Sequence, residues 1–203
     1  MRCAAHNGFT FILWPGTTGC SGILMTTTKA ELLKRADRLA ERAHAEQRRK
    51  YTNAPYIVHP RAVAAIVATV PHTQDMLAAA LLHDVLEDTA VTFAELDAEV
   101  GSAVAGLVLE LTDQIALDRG NRATRKRLEA ERLATVSAHA QTIKLADLID
   151  NLRSIVEHDP RFARVYVAEK EQLLALLTRS DHGLRNLAAQ ELGLARALTQ
   201  SSD

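Results

Sequence analysis

The chain has 203 residues, 47% of them hydrophobic and 24% charged, and a formal net charge of −1. That length suits one domain with a substantial core, and so even a charge balance argues against general nucleic-acid binding, which calls for a basic face. Aromatic residues are only 4% of the chain while Ala and Leu abound, which favours helix over sheet.

Residues 1–24 differ from the rest. They hold both cysteines, Cys3 and Cys20, and the short apolar run Phe9-Thr-Phe-Ile-Leu-Trp14. The run is too short for a secretory core, and two cysteines define neither a disulfide scaffold nor a zinc site. A loose tail or an over-extended start is expected here, on a protein of the reducing cytoplasm. The domain is expected over 25–203, with Thr28 able to cap the first helix. No apolar run reaches the length of a membrane span.

From Lys29 onward helical periodicity dominates. A first helix is predicted over 29–50, with apolar or Ala positions at 32, 33, 36, 39, 40 and 43. Tyr51 to Pro55 reads as a loop. A second helix begins near His59-Pro60, with Pro60 in the first turn, and a third covers 73–87. Thr92-Phe-Ala-Glu95 has the form of a capping box for a short fourth helix that stops at Gly101. Further helices are predicted over 102–113, 122–137, 139–157, 161–180 and 182–199, with Pro160 separating two of them. The result is a single all-α globule of about eight or nine helices.

The third predicted helix carries the most informative segment, Leu77-Ala-Ala-Ala-Leu-Leu-His83-Asp84-Val-Leu-Glu87-Asp88-Thr89. Four titratable groups interrupt an apolar run, and burying them without partners would be costly. On a continuous helix they would span about 140° of its circumference. Chance alone gives about half a His-Asp pair in such a chain. There are two, and His158-Asp159, just ahead of Pro160, reads as a helix end without chemistry. His83-Asp84 instead sits amid apolar residues, with His59 on the preceding helix. Farther on, Asp147, Asn151 and Ser154 fall at i, i+4 and i+7 and line one stripe. Two imidazoles and two carboxylates from three helices would suit Mn²⁺, Fe²⁺ or Zn²⁺ better than Ca²⁺. A salt-bridged polar seam between helices is the other reading of the same spacing.

Taken together, these segments resemble the HD-type hydrolase domain of the RelA/SpoT family, especially its stand-alone alarmone hydrolases. The resemblance rests on Gln47-Arg48-Arg49-Lys50, Pro55-Tyr56-Ile57-Val58-His59-Pro60, Ala79 to Thr89, Leu107 to Asp113, Arg125-Lys126-Arg127-Leu128, and Ile143-Lys-Leu-Ala-Asp147 through Asn151-Leu-Arg153, in family order. It implies that His59, His83, Asp84 and Asp147 bind a metal, Mn²⁺ in the family. It implies that Glu87 and Asp88 orient and activate water. Arg49 and Lys50 would lie beside the substrate's base and phosphates, Lys126 and Arg127 would contact phosphate, and Asn151 and Ser154 would lie near sugar and phosphates. The implied reaction removes the 3′-pyrophosphate of ppGpp or pppGpp, with hydrolysis alone expected and no nucleic-acid or membrane partner. Two alternatives are an HD-type phosphatase acting on NADPH or another nucleotide, and an alarmone-binding protein without turnover. The chain departs from the family at Leu148, where a basic residue is common, and at Asp150, where His or Tyr is common.

Overall fold

A computed structural model describes residues 29–116 and 118–200. The expected tail at 1–24 and the Thr28 cap lie outside the described residues. Ten helices follow one another among the described residues: α1 (Lys29–Ala43), α2 (Val58–Val67), α3 (Gln74–Leu82), α4 (Val85–Asp88), α5 (Phe93–Val100), α6 (Ser102–Leu111), α7 (Arg122–Leu133), α8 (Ala138–His158), α9 (Pro160–Leu176) and α10 (His182–Gln200). No strand forms among them; an isolated bridge joins Arg48 to Pro55. The all-α expectation holds, with one helix more than the upper estimate because the third predicted helix is divided in two.

Two helices organise the core. From α3, Ala78, Ala79, Ala80 and Leu82 are wholly buried, with α1, α2, α6 and α8 packed around it. The second is α8, whose Ile143, Leu145, Leu148, Ile149 and Leu152 are buried and which touches α2, α3, α6, α9 and α10. Each of these large side chains contributes about 1.5–3 kcal/mol by leaving water. α8 therefore serves as the shared wall between α1–α6 and the α9–α10 pair. A polar residue on its inner stripe is held by both halves.

Local signals set most boundaries. At α5 the capping box forms as expected: Glu95 N donates to Thr92 Oγ1, and Thr92 N donates to Glu95 Oε2 at 2.8 Å. Gly101, at φ +87°, closes α5 and opens α6, a conformation that glycine adopts without the Cβ clash. Asp159 caps α9 by accepting from Phe162 N, and the His158 ring stacks on Tyr51. This second His-Asp pair is a helix corner, as its context indicated.

Two predicted elements change. The first helix ends at Ala43 instead of reaching residue 50. Beyond it the chain doubles back, with Arg49 N donating to Ala54 O, Tyr56 N donating to Gln47 O, and Asn53 at φ +54°. The buried His44 ring drives this: it packs 4.7 Å from Tyr56 and meets Gln47 Oε1 at 2.7 Å. The third predicted helix breaks at His83-Asp84. There His83 Nδ1 donates to Ala80 O at 2.9 Å, the carbonyl that a continuing helix would offer to the Asp84 N–H.

Candidate metal centre

The break between α3 and α4 turns His83 and Asp84 toward α2 and α8. His59 arrives from the first turn of α2, where Pro60 occupies a position whose N–H has no intrahelical partner. Asp147 arrives from the middle of α8. His59 Nε2 lies 3.3 Å from Asp147 Oδ1 and 3.7 Å from Asp84 Oδ2, while His83 Nε2 lies 3.1 Å from Asp84 Oδ2 and 3.7 Å from Asp147 Oδ1. Ligands bound about 2.1 Å from one cation sit about 3.0–3.4 Å apart. His59, His83 and Asp84 form a compact trio of potential ligand atoms among the described residues, and Asp147 faces the imidazole pair beside it.

The hydrogen bonds around the imidazoles fit a cation. His83 Nδ1 donates to a backbone carbonyl, so Nε2 is the ring nitrogen left to face the carboxylates. That Nε2 is buried and makes no hydrogen bond, an arrangement that costs free energy unless something binds it. His59 Nδ1 contacts Asp150 Oδ2 at 2.6 Å, which directs its Nε2 into the cluster in the same way. The carboxylates are held too. Tyr56 OH donates to Asp84 Oδ2 at 2.6 Å, Lys144 Nζ to Asp147 Oδ2 at 2.8 Å, and Asn151 Nδ2 to Asp147 Oδ1 at 2.5 Å.

Electrostatics agree. Burial disfavours the charged form of His83, yet Asp84 and Asp147 outweigh it and push its pKa up to about 10. Burial likewise opposes ionisation of Asp84 and Asp147, but His83 in the first case and Lys144 in the second hold them well below the usual carboxylate range. The cluster is therefore a concentrated site for positive charge. A divalent cation would fill that place with two neutral nitrogens and two anionic oxygens.

Glu87 and Asp88 stand on α4 at the rim, where solvent reaches both. Partial burial first, and the nearby Asp84 in addition, raise both pKa values from their ordinary carboxyl values. Glu87 Oε2 accepts from Asp113 N at 3.0 Å, and Asp88 O accepts from Gln47 Nε2 at 2.7 Å. Behind Glu87 opens a small cavity of about 60 Å³, lined by Asp113, Lys126, Glu129, Lys144 and Lys170 among others.

The remaining expected residues divide. Arg49 reaches the centre: its guanidinium donates to Asn151 Oδ1 at 3.3 Å and meets Asp150 Oδ2 at 3.4 Å. Lys126 enters the cavity and pairs with Asp113 at 3.3 Å. Ser154 continues the stripe of Asp147 and Asn151 along α8. Lys50 instead points to the α8–α9 corner, contacting Tyr51 OH and lying 3.8 Å from Asp159. Arg127 pairs with Glu131 on the exposed face of α7. Sequence reasoning missed Asp150 as the partner of His59, Tyr56 as the donor to Asp84, and Lys144 as the counter-charge of Asp147. Lys144 was within reach of sequence reasoning, since i to i+3 places it beside Asp147. Leu148 is only 1% exposed, so that departure from the family pattern belongs to the core and not to a binding wall.

A family model described as an HD domain matches residues 36–183. The chain belongs to the HD domain family. Within it, the human guanosine-3′,5′-bis(diphosphate) 3′-pyrophosphohydrolase MESH1 is 42% identical over 134 residues, covering 64% of this chain and 73% of the human protein. The Drosophila melanogaster protein of the same name is 42% identical over 120 residues, covering 58% of this chain and 65% of its own length. A solved structure of a metazoan orthologue of SpoT, described as hydrolysing ppGpp, superimposes with a TM-score of 0.73 at 30% identity, covering 90% of this chain and 99% of that one. In this HD-domain protein no helix among the described residues is long and apolar enough to cross a membrane.

Proposed function

We propose that this HD-domain protein is a divalent-metal phosphohydrolase that removes the 3′-pyrophosphate of ppGpp or pppGpp, giving GDP or GTP and pyrophosphate, with Mn²⁺ as its metal and the cytoplasm as its compartment. The observation that carries the reading is the buried, unbonded His83 Nε2 within 3.1–3.7 Å of two carboxylates. The similarity to MESH1 proteins and to the SpoT orthologue supports the substrate.

When bound, the cation lowers the pKa of water and polarises a phosphoryl oxygen. The chain's own residues supply the rest. His59, His83, Asp84 and Asp147 hold the cation. Glu87 and Asp88, whose pKa values burial raises, orient the attacking water and take its proton. The water oxygen bonds to phosphorus as the bond from phosphorus to the 3′-oxygen breaks, and a proton completes the ribose hydroxyl. Arg49 offsets phosphate charge beside the centre, with Lys126 doing so from the cavity. Lys50 and Arg127 would reach the nucleotide only by leaving Asp159 and Glu131. Asn151 and Ser154 line the approach to the sugar.

The test is ppGpp turnover by the purified protein with Mn²⁺, resolving products by ion-exchange chromatography, with NADPH in a parallel reaction. GDP and pyrophosphate are expected from ppGpp. Phosphate released from NADPH with ppGpp intact would overturn the substrate. Tight ppGpp binding without turnover would make the protein an alarmone binder, although a water-orienting pair such as Glu87 and Asp88 has no use in one.

A further inference from the structure

Position 150 lies between two residues already committed to the centre, and its side chain is a carboxylate where the family pattern has His or Tyr. Asp150 Oδ2 meets His59 Nδ1 at 2.6 Å and Arg49 Nη2 at 3.4 Å. Arg49 Nη1 reaches Asn151 Oδ1 at 3.3 Å, and Asn151 Nδ2 reaches Asp147 Oδ1 at 2.5 Å. One carboxylate thus joins a ring nitrogen of the centre to the guanidinium beside it, and Asn151 links that guanidinium back to a second member of the centre.

We infer that Asp150 is a positioning residue of this protein: it fixes His59 with Nε2 free for the metal and clamps Arg49 at the substrate wall. The inference rests on the metal-centre reading of the previous section. An imidazole offers its Nε2 lone pair only when the proton is on Nδ1, and an acceptor at Nδ1 selects that tautomer and sets the ring plane. A carboxylate also makes the ring a better donor to a cation than a neutral acceptor does. His59 is otherwise buried, at 1% exposure, so water cannot readily replace the lost acceptor. For Arg49, the same carboxylate holds a long side chain that would otherwise sample many rotamers. Its loss should therefore weaken substrate binding separately from metal binding.

The experiment uses the full chain and Mn²⁺ alone, following free Mn²⁺ by electron paramagnetic resonance, with Asp150→Ala and Asp150→Asn. Asp150→Ala is expected to weaken Mn²⁺ binding about 10- to 100-fold. Asp150→Asn, which keeps an acceptor oxygen but not the charge, is expected to weaken it less, and it reads the proposal should the alanine variant fail to fold. Steady-state kinetics supply the second arm. Raising Mn²⁺ to saturation should restore most of kcat, while KM for ppGpp stays raised because Arg49 remains unclamped. A role confined to packing would show neither the recovery with Mn²⁺ nor that split. Wild-type Mn²⁺ affinity and KM in a folded Asp150→Ala protein would overturn the inference alone. A wild-type chain that takes up no Mn²⁺ would overturn it together with the metal-centre reading.

Discussion

Replacing Glu87 by Gln separates holding the centre from using it. The amide is nearly isosteric, and its oxygen can still accept from Asp113 N, the 3.0 Å bond that fixes the carboxylate. What is lost is the charge and the ability to take a proton. Exchanging a charged acceptor for a neutral one costs about 1 kcal/mol, and relief of partial burial offsets part of that. The folded protein should change by no more than about 1 kcal/mol, or about 2–4 °C in Tm for a domain of this size. Glu87 is not among the atoms that surround His83 Nε2, so Mn²⁺ affinity should stay within a fewfold of wild type. Turnover of ppGpp should fall by about 10²–10⁴, the usual worth of a positioned base, or about 2.7–5.4 kcal/mol of barrier. The assay pairs Mn²⁺ titration with product chromatography on the same preparation. Full turnover in Glu87→Gln would refute the role assigned to this carboxylate. Lost turnover together with lost metal would show that Glu87 belongs to the ligand set instead.

Other expectations follow from the same geometry. Asp84→Ala and His59→Ala should each abolish Mn²⁺ uptake in calorimetry and ppGpp turnover with it; retention of either in a folded variant would count against the cluster. Leu148→Ala should lower stability by about 2–5 kcal/mol in urea unfolding while leaving KM for ppGpp unchanged, since the residue is buried in the core. Lys170 lines the cavity, and burial lowers its pKa to about 8 from 10.5. Between these values the unfolded chain binds the extra proton, so this lysine destabilises the fold fully below pH 8, and the penalty fades as pH rises toward about 10.5. Against Lys170→Met, wild-type unfolding free energy should therefore gain with pH across that window, by at most about 1.4 kcal/mol per unit. The partial solvent access of this residue and its place 5.0 Å from the Tyr166 ring reduce that ceiling, and a flat difference would show that Lys170 titrates normally.

The sequence alone determined the helical class, most helix positions and the four residues His59, His83, Asp84 and Asp147 that meet at the centre. These depend on short-range causes: apolar spacing, the Thr92-Glu95 cap, Gly101, Pro160, and the cost of stranding His83 and Asp84 in an apolar run. Asp147 and Asn151 were legible as one stripe because i to i+4 geometry is local. The tertiary structure decided what depends on partners distant in the chain. The His83 ring captured the Ala80 carbonyl and broke a helix that periodicity alone made continuous. The fold-back after Ala43 placed Arg49 against α8 and turned Lys50 toward Asp159, a division that neighbours in sequence cannot express. Asp150 looked like a departure from a pattern until α2 brought His59 to within 2.6 Å of it. Spacing along one helix says which side chains share a face, but only packing against α2 and the fold-back says what that face meets.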